Sequence, residues 1–220
     1  RADVELLNPR SPQSEAYYSA AVGLHQMAGS KLPKVTLVTS SMPGEGKSTS
    51  SIGLARSFAA MRERVLLIDG DLRRPSLGAM LGARLGAGMS NVLAGTATIE
   101  AATQQLDGLR FDLITAGDAQ DDPISLLSSE TLAETLRQMA ERYDIILIDG
   151  PPIMGIADPI LLAAHAQAAV FVIESGRIES QQLQLAMARL PAGLPAGSII
   201  TKFNAKVAGV KYGSKGYYQY

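Results

Sequence analysis

The chain has 220 residues, 46% hydrophobic and 19% charged, with a formal net charge of −1. That length fits one well-packed domain, the apolar share argues against disorder of the whole, and the near-neutral charge argues against a generally basic nucleic-acid binder. With no cysteine and two isolated histidines, His25 and His165, disulfides and thiolate zinc sites are excluded and a histidine metal centre is disfavoured.

Residues 1–15 are polar and broken by Pro9 and Pro12, and read as a linker or arm. The chain opens on Arg1 rather than Met, as a piece of a longer protein would. No apolar run approaches the ~18–20 residues of a membrane span, and no signal peptide is visible. "KVTLVTS" (34–40) is β-branched, follows Pro33 and predicts a strand. A helix from Ser48 to about Met61 carries Ile52, Ala55 and Ala59 at helical spacing. Further strands are predicted at 64–69, 110–116, 144–149, 168–174 and 197–201, and a helix from Ser129 to Tyr143 with Leu132, Leu136 and Met139 inward. These strands are apolar on both faces, as in a parallel sheet covered by helices on two sides. Strand–helix alternation with right-handed crossovers then gives a doubly wound α/β domain, residues 1–205. From Lys206, "KVAGVKYGSKGYYQY" has neither period and predicts a flexible, tyrosine-rich C-terminal tail, 206–220.

"SMPGEGKS" (41–48) matches the phosphate-loop pattern G-x-x-x-x-G-K-[ST] except that Ser41 replaces the first glycine. It follows a strand and opens a helix. Backbone N–H groups of Gly44, Glu45 and Gly46 would form a nest for a β-phosphate, aided by the helix N-terminus. Lys47 would reach the β/γ oxygens and the Ser48 hydroxyl would ligate Mg²⁺. Pro43 and Thr49 complete the ATP-binding segment.

Two apolar strands end in acids. "VLLIDGDLRRP" (65–75) supplies Asp69 and Asp71, then Arg73 and Arg74; "IILIDGPP" (145–152) supplies Asp149. In an open parallel sheet, ligands sit beyond the carboxyl ends of the strands, so these acids and the loop should share one edge. Their mutual repulsion calls for a cation, and Mg²⁺ fits.

The three boxes together, at 41–48, 69–73 and 145–149, resemble the bacterial tyrosine kinases that accompany polysaccharide chain-length regulators. The Asp-x-Asp-x-Arg box is the specific part. The resemblance implies a P-loop NTPase fold and ATP- and Mg²⁺-dependent tyrosine phosphorylation. Asp69 would accept the tyrosine proton and share the metal site, Asp71 and Asp149 would hold Mg²⁺ with Ser48, and Arg73 or Arg74 would stabilise transferring charge alongside Lys47, the other pairing with a local acid. The phosphoacceptors would be Tyr212, Tyr217, Tyr218 and Tyr220, modified by a neighbouring copy. The partner implied is a membrane polysaccharide co-polymerase or its activator segment, at the cytoplasmic face of the bacterial inner membrane; no nucleic acid is implied.

The chain departs from the family at Tyr18 and Ala21, where two ring-forming arginines are expected after Glu15. This predicts a monomeric or weakly associating domain. The family's adenine-side asparagine is matched by Thr201, with Asn204 three residues on, so both are candidate base contacts. Two alternatives stay open: a catalytically weak nucleotide-binding regulator of a membrane co-polymerase, and a partition or division-site ATPase. The second usually has a signature lysine where this chain has Met42.

Overall fold

Three short runs of branched residues are buried along their whole length: β1 (Val35–Ser40), β2 (Val65–Asp69) and, later in the chain, Ile145–Asp149. The computed structural model, which describes residues 11–27, 33–119 and 121–203, places them at the centre of one seven-stranded sheet. The other strands are β3 (Thr103–Gln105), β4 (Asp112–Ile114), β6 (Ala168–Glu174) and β7 (Ala196–Thr201), with Ile145–Asp149 as β5. Their order is β3-β4-β2-β5-β1-β6-β7, and every pairing is parallel except that of β3 with β4. The sheet is doubly wound and mostly parallel, as its apolar strands predict.

Alternation along each strand divides the core into two layers. Leu66 and Ile68 join Ile146 and Ile148 on one face. That face is covered by α4 (Met89–Leu93), α7 (Glu130–Arg142) and α8 (Asp158–Ala163), through residues including Val92, Leu136 and Leu162. Val65 and Leu67 join Ile145 and Leu147 on the other, under α2 (Lys47–Ala60) and α3 (Leu77–Leu81), through Ile52, Leu54, Phe58 and Leu77. The remaining helices are α1 (Pro12–Met27), α5 (Ile99–Ala102), α6 (Pro123–Leu127) and α9 (Ser180–Met187). Among the described residues no helix is long and apolar enough to cross a membrane.

The arm expected over residues 1–15 ends earlier, because α1 already begins at Pro12. Ser11 caps it: its Oγ accepts from the Ser14 N–H at 3.1 Å and its carbonyl from the Glu15 N–H at 3.1 Å. A proline at the first helical position loses no intrahelical bond, so the residue read as a break marks a start. Residues 1–10 lie outside the described residues.

Helix α1 lies on α2. The Tyr17 ring rests on Gly53, where an added Cβ would come within 2.5 Å of it, and the Tyr17 and Ser50 hydroxyls are 3.1 Å apart. Ala21 is fully buried in the same contact. The face with Tyr17 and Ala21 therefore covers the core, while Glu15 and Tyr18 are exposed.

Strand β3 is absent from the sequence reading, since Thr-Gln-Gln shows no apolar period. Its buried Gln104 amide brackets one backbone residue: Oε1 accepts from the Arg84 N–H at 2.9 Å and Nε2 donates to the Arg84 carbonyl at 3.0 Å. A tertiary contact, rather than strand propensity, holds this edge.

Candidate active site

Strand β1 leads into a loop that must turn sharply before α2. Gly44 and Gly46 take φ of 83° and 96°, a left-handed region that glycine enters without a Cβ clash. The Glu45 side chain is fully buried and staples the loop from within. Its Oε2 accepts from the Met42 N–H at 2.6 Å and its Oε1 from the Glu174 N–H at 3.3 Å. Lys47, only 9% exposed, opens α2 at the floor of a cleft of ≈ 600 Å³. Pro43, Gly44, Gly46, Lys47, Ser48 and Thr49 line one side of this cleft, with Asp71, Arg73 and Arg74; Pro151, Pro152, Met154, Ile156 and Met80 form an apolar side.

The strand-end acids do meet, at different depths. Asp69 and Asp149 are directly paired in register at the ends of β2 and β5, at 0% and 2% exposure. Asp69 Oδ2 accepts from the Ser76 and Leu77 N–H groups, both at 2.9 Å, and Oδ1 from the Asp71 N–H at 3.3 Å. Asp149 Oδ1 accepts from the Ser51 hydroxyl at 2.9 Å, and Ser48 also hydrogen-bonds this carboxylate. The Ser48 and Ser76 hydroxyls are 2.7 Å apart. Burial, then repulsion from Asp149, pushes the Asp69 carboxyl up to about 7. Burial likewise raises Asp149, against the pull of its serine hydrogen bonds and Lys47. Asp71 lies higher, on the cleft wall; burial raises its pKa too, opposed by the Arg74 N–H and the Lys47 charge.

One of the two arginines was expected to pair with an acid, and it is Arg73: its Nε and Nη2 donate to Asp158 Oδ2 and Oδ1 at 2.8 and 3.2 Å, and Asp158 is 1% exposed. Sequence reasoning missed that partner and several others. Ser51 lies three residues after Ser48, so helical spacing could have flagged it. Nothing local pointed to Ser76 or Asp158. The Thr201 hydroxyl donates to the Glu45 carbonyl at 2.7 Å, which ties the end of β7 to the phosphate loop. Lys202 beside it donates to the Gly44 carbonyl at 3.0 Å. Asn204 and the four tail tyrosines lie outside the described residues.

Among the described residues, no three acidic or histidine side chains stand close enough to cage a metal by themselves. The site instead offers hydroxyls and two adjacent buried carboxylates whose pKa values are raised mainly by burial. Such all-oxygen donors suit Mg²⁺, which keeps several waters and takes phosphate oxygens as well. Ser48, Asp149, Asp69 and Asp71 fit that role.

A loop of left-handed glycines running from a central strand into a lysine-led helix, beside strand-end carboxylates, is how P-loop nucleotide-binding domains are built. The model of an AAA domain matches residues 34–182. Tyrosine-protein kinase YwqD of Bacillus subtilis is 34% identical over 179 residues, covering 81% of this chain and 76% of the relative. The solved kinase domain of the Escherichia coli tyrosine kinase ETK superposes with a TM-score of 0.84 at 27% identity, covering 88% of this chain and 77% of that one. The septum site-determining protein MinD of Pyrococcus horikoshii, complexed with Mg-ADP, shares the fold at TM-score 0.65 and 24% identity, over 76% of this chain and 69% of that one. The chain belongs to the bacterial tyrosine-protein kinase family.

Proposed function

We propose that this domain is an ATP- and Mg²⁺-dependent protein-tyrosine kinase that phosphorylates the cluster Tyr212, Tyr217, Tyr218 and Tyr220 of a neighbouring copy. The observation that carries the reading is the buried Asp69–Asp149 pair beside Lys47, in a chain 34% identical to a tyrosine-protein kinase. The tyrosine oxygen forms a bond to the γ-phosphorus while the bond to the β–γ bridging oxygen breaks, ADP leaves, and the phenol proton passes to a carboxylate. A free phenol has a pKa of about 10, so the proton needs a nearby acceptor. Burial raises the Asp69 carboxyl, and Asp71 has access to the cleft. Asp69 is fully buried, so transfer to it requires a path from the cleft, whereas Asp71 is reached directly. Lys47 neutralises β/γ charge, and the Gly44–Gly46 backbone cradles the β-phosphate. Ser48, Asp149, Asp69 and Asp71 would hold Mg²⁺, which would supply positive charge to stabilise the transferring phosphoryl group.

The setting implied by the family is control of exopolysaccharide or capsule synthesis and export, at the cytoplasmic face of the inner membrane, through a membrane co-polymerase or activator segment. Incubating the purified domain with Mg-ATP and mapping phosphotyrosine by mass spectrometry tests the catalytic part. Label at Tyr212–Tyr220 in wild type, reduced about 100-fold or more in Lys47→Met, is expected, because removing one preorganised charge costs that much. ATP hydrolysis without tyrosine labelling at high protein concentration would sink the kinase reading.

A further inference from the structure

The phosphate loop is gripped from outside the cleft by the ends of β6 and β7. Thr201 Oγ1 donates to the Glu45 carbonyl at 2.7 Å and Lys202 Nζ to the Gly44 carbonyl at 3.0 Å, across about three-quarters of the chain's length in sequence. In a trans peptide the carbonyl of one residue and the N–H of the next point in opposite directions. Holding the Gly44 carbonyl outward therefore turns the Glu45 N–H inward, and holding the Glu45 carbonyl outward does the same for the Gly46 N–H. Among the described residues the Gly46 N–H has no intramolecular acceptor, and the Glu45 N–H closes only the turn across Pro43 and Gly44. Buried or cleft-facing donors left in this state are rare unless a ligand completes them.

The grip is itself braced. Glu174 Oε2 pairs with Lys202 Nζ at 3.0 Å and with Arg177 Nη1 at 2.7 Å, while the Glu174 N–H donates to the Glu45 carboxylate. Lys202 sits at φ 52°, a left-handed conformation that a residue with a Cβ keeps only when its surroundings enforce it. The Thr201 methyl group also packs against the loop, 3.4 Å from where a Cβ on Gly46 would stand.

We propose that Thr201 and Lys202 are positioning residues for nucleotide binding: they aim the Glu45 and Gly46 N–H groups at the β-phosphate without touching the nucleotide. This rests on the nucleotide reading of the cleft. It replaces the base contact expected of Thr201 by a role specific to the phosphates.

The test is calorimetric binding of Mg-ATP and of Mg²⁺ with inorganic tripolyphosphate, a probe with no base. Wild type, Thr201→Val, Thr201→Ser and Lys202→Met are compared, with melting temperatures recorded for each. Thr201→Val should weaken both ligands by the same factor, roughly threefold to tenfold for one aiming hydrogen bond, and Thr201→Ser should restore both. Lys202→Met, at a half-exposed side chain, should weaken both as well, with its melting temperature separating a loss of fold from a loss of aim. Loss of ATP affinity with tripolyphosphate unchanged would make Thr201 a base contact and overturn the proposal. So would unchanged binding of both ligands in Thr201→Val and Lys202→Met. Wild type that binds neither ligand would instead overturn the nucleotide reading on which the proposal stands.

Discussion

Asp69→Asn should make the metal-free protein more stable at pH 8 while removing transfer activity. In the folded chain the Asp69 carboxyl titrates at about 7, against about 3.9 when unfolded. Between those pH values the folded state keeps a proton that the unfolded state has lost. Stability therefore falls as pH rises from about 4 to about 7, by ~1.4 kcal/mol per unit for one proton, and levels off above. Three units give about 4 kcal/mol as an upper bound, because Asp149 shares the repulsion. Asparagine keeps the carbonyl acceptor for the Ser76 and Leu77 N–H groups. Its amide would face the Asp71 N–H, the longest of the three contacts at 3.3 Å, at a cost of about 1 kcal/mol. The electrostatic gain wins. Urea unfolding in EDTA at pH 5, 6, 7 and 8 measures it: the wild-type midpoint should drop across the series and that of the variant should stay flatter. Adding Mg²⁺ with nucleotide should stabilise wild type more at pH 8 than at pH 5. Identical pH slopes for the two proteins, or an Asp69→Asn variant less stable at pH 8, would refute the account of this buried pair.

Gly53→Ala should lower the melting temperature although alanine favours helix by about 1 kcal/mol, because the new Cβ meets the Tyr17 ring at 2.5 Å and overpacking costs about 1–3 kcal/mol. Arg73→Met should destabilise by leaving the buried Asp158 carboxylate unpaired, and Arg73→Met with Asp158→Leu should recover most of that loss in chemical denaturation. Light scattering on the isolated domain at micromolar concentration should report a monomer or weak association, since Ala21 is buried in the core and Tyr18 offers no charge for an ion pair. A stable ring at that concentration would show that the missing arginines are dispensable.

Much of the site was legible because its chemistry is local. Gly44 and Gly46 announce left-handed backbone, Lys47 and Ser48 follow at fixed spacing, and Asp69 and Asp149 each close a short apolar strand. The central strands and helices α2 and α7 were legible for the same reason, their periods being visible within a few residues. Strand β3 was not, since its place depends on Gln104 binding the backbone of Arg84. Nor was the bond between Arg73 and Asp158, whose residues lie 85 positions apart.

The sequence by itself determined which residues stand at strand ends and which loop precedes α2, because burial period, glycine conformation and capping act over a few residues. Tertiary structure decided which strand lies beside which. Inserting β5 between β2 and β1 sets Asp149 against Asp69 and buries both carboxyls, and that burial is the main reason their pKa values are raised. Placing β7 beyond β6 brings Thr201 and Lys202 to the phosphate loop, where they bond the Glu45 and Gly44 carbonyls. Strand order follows from how helices cover two apolar faces at once, a global packing condition that no short stretch of sequence carries.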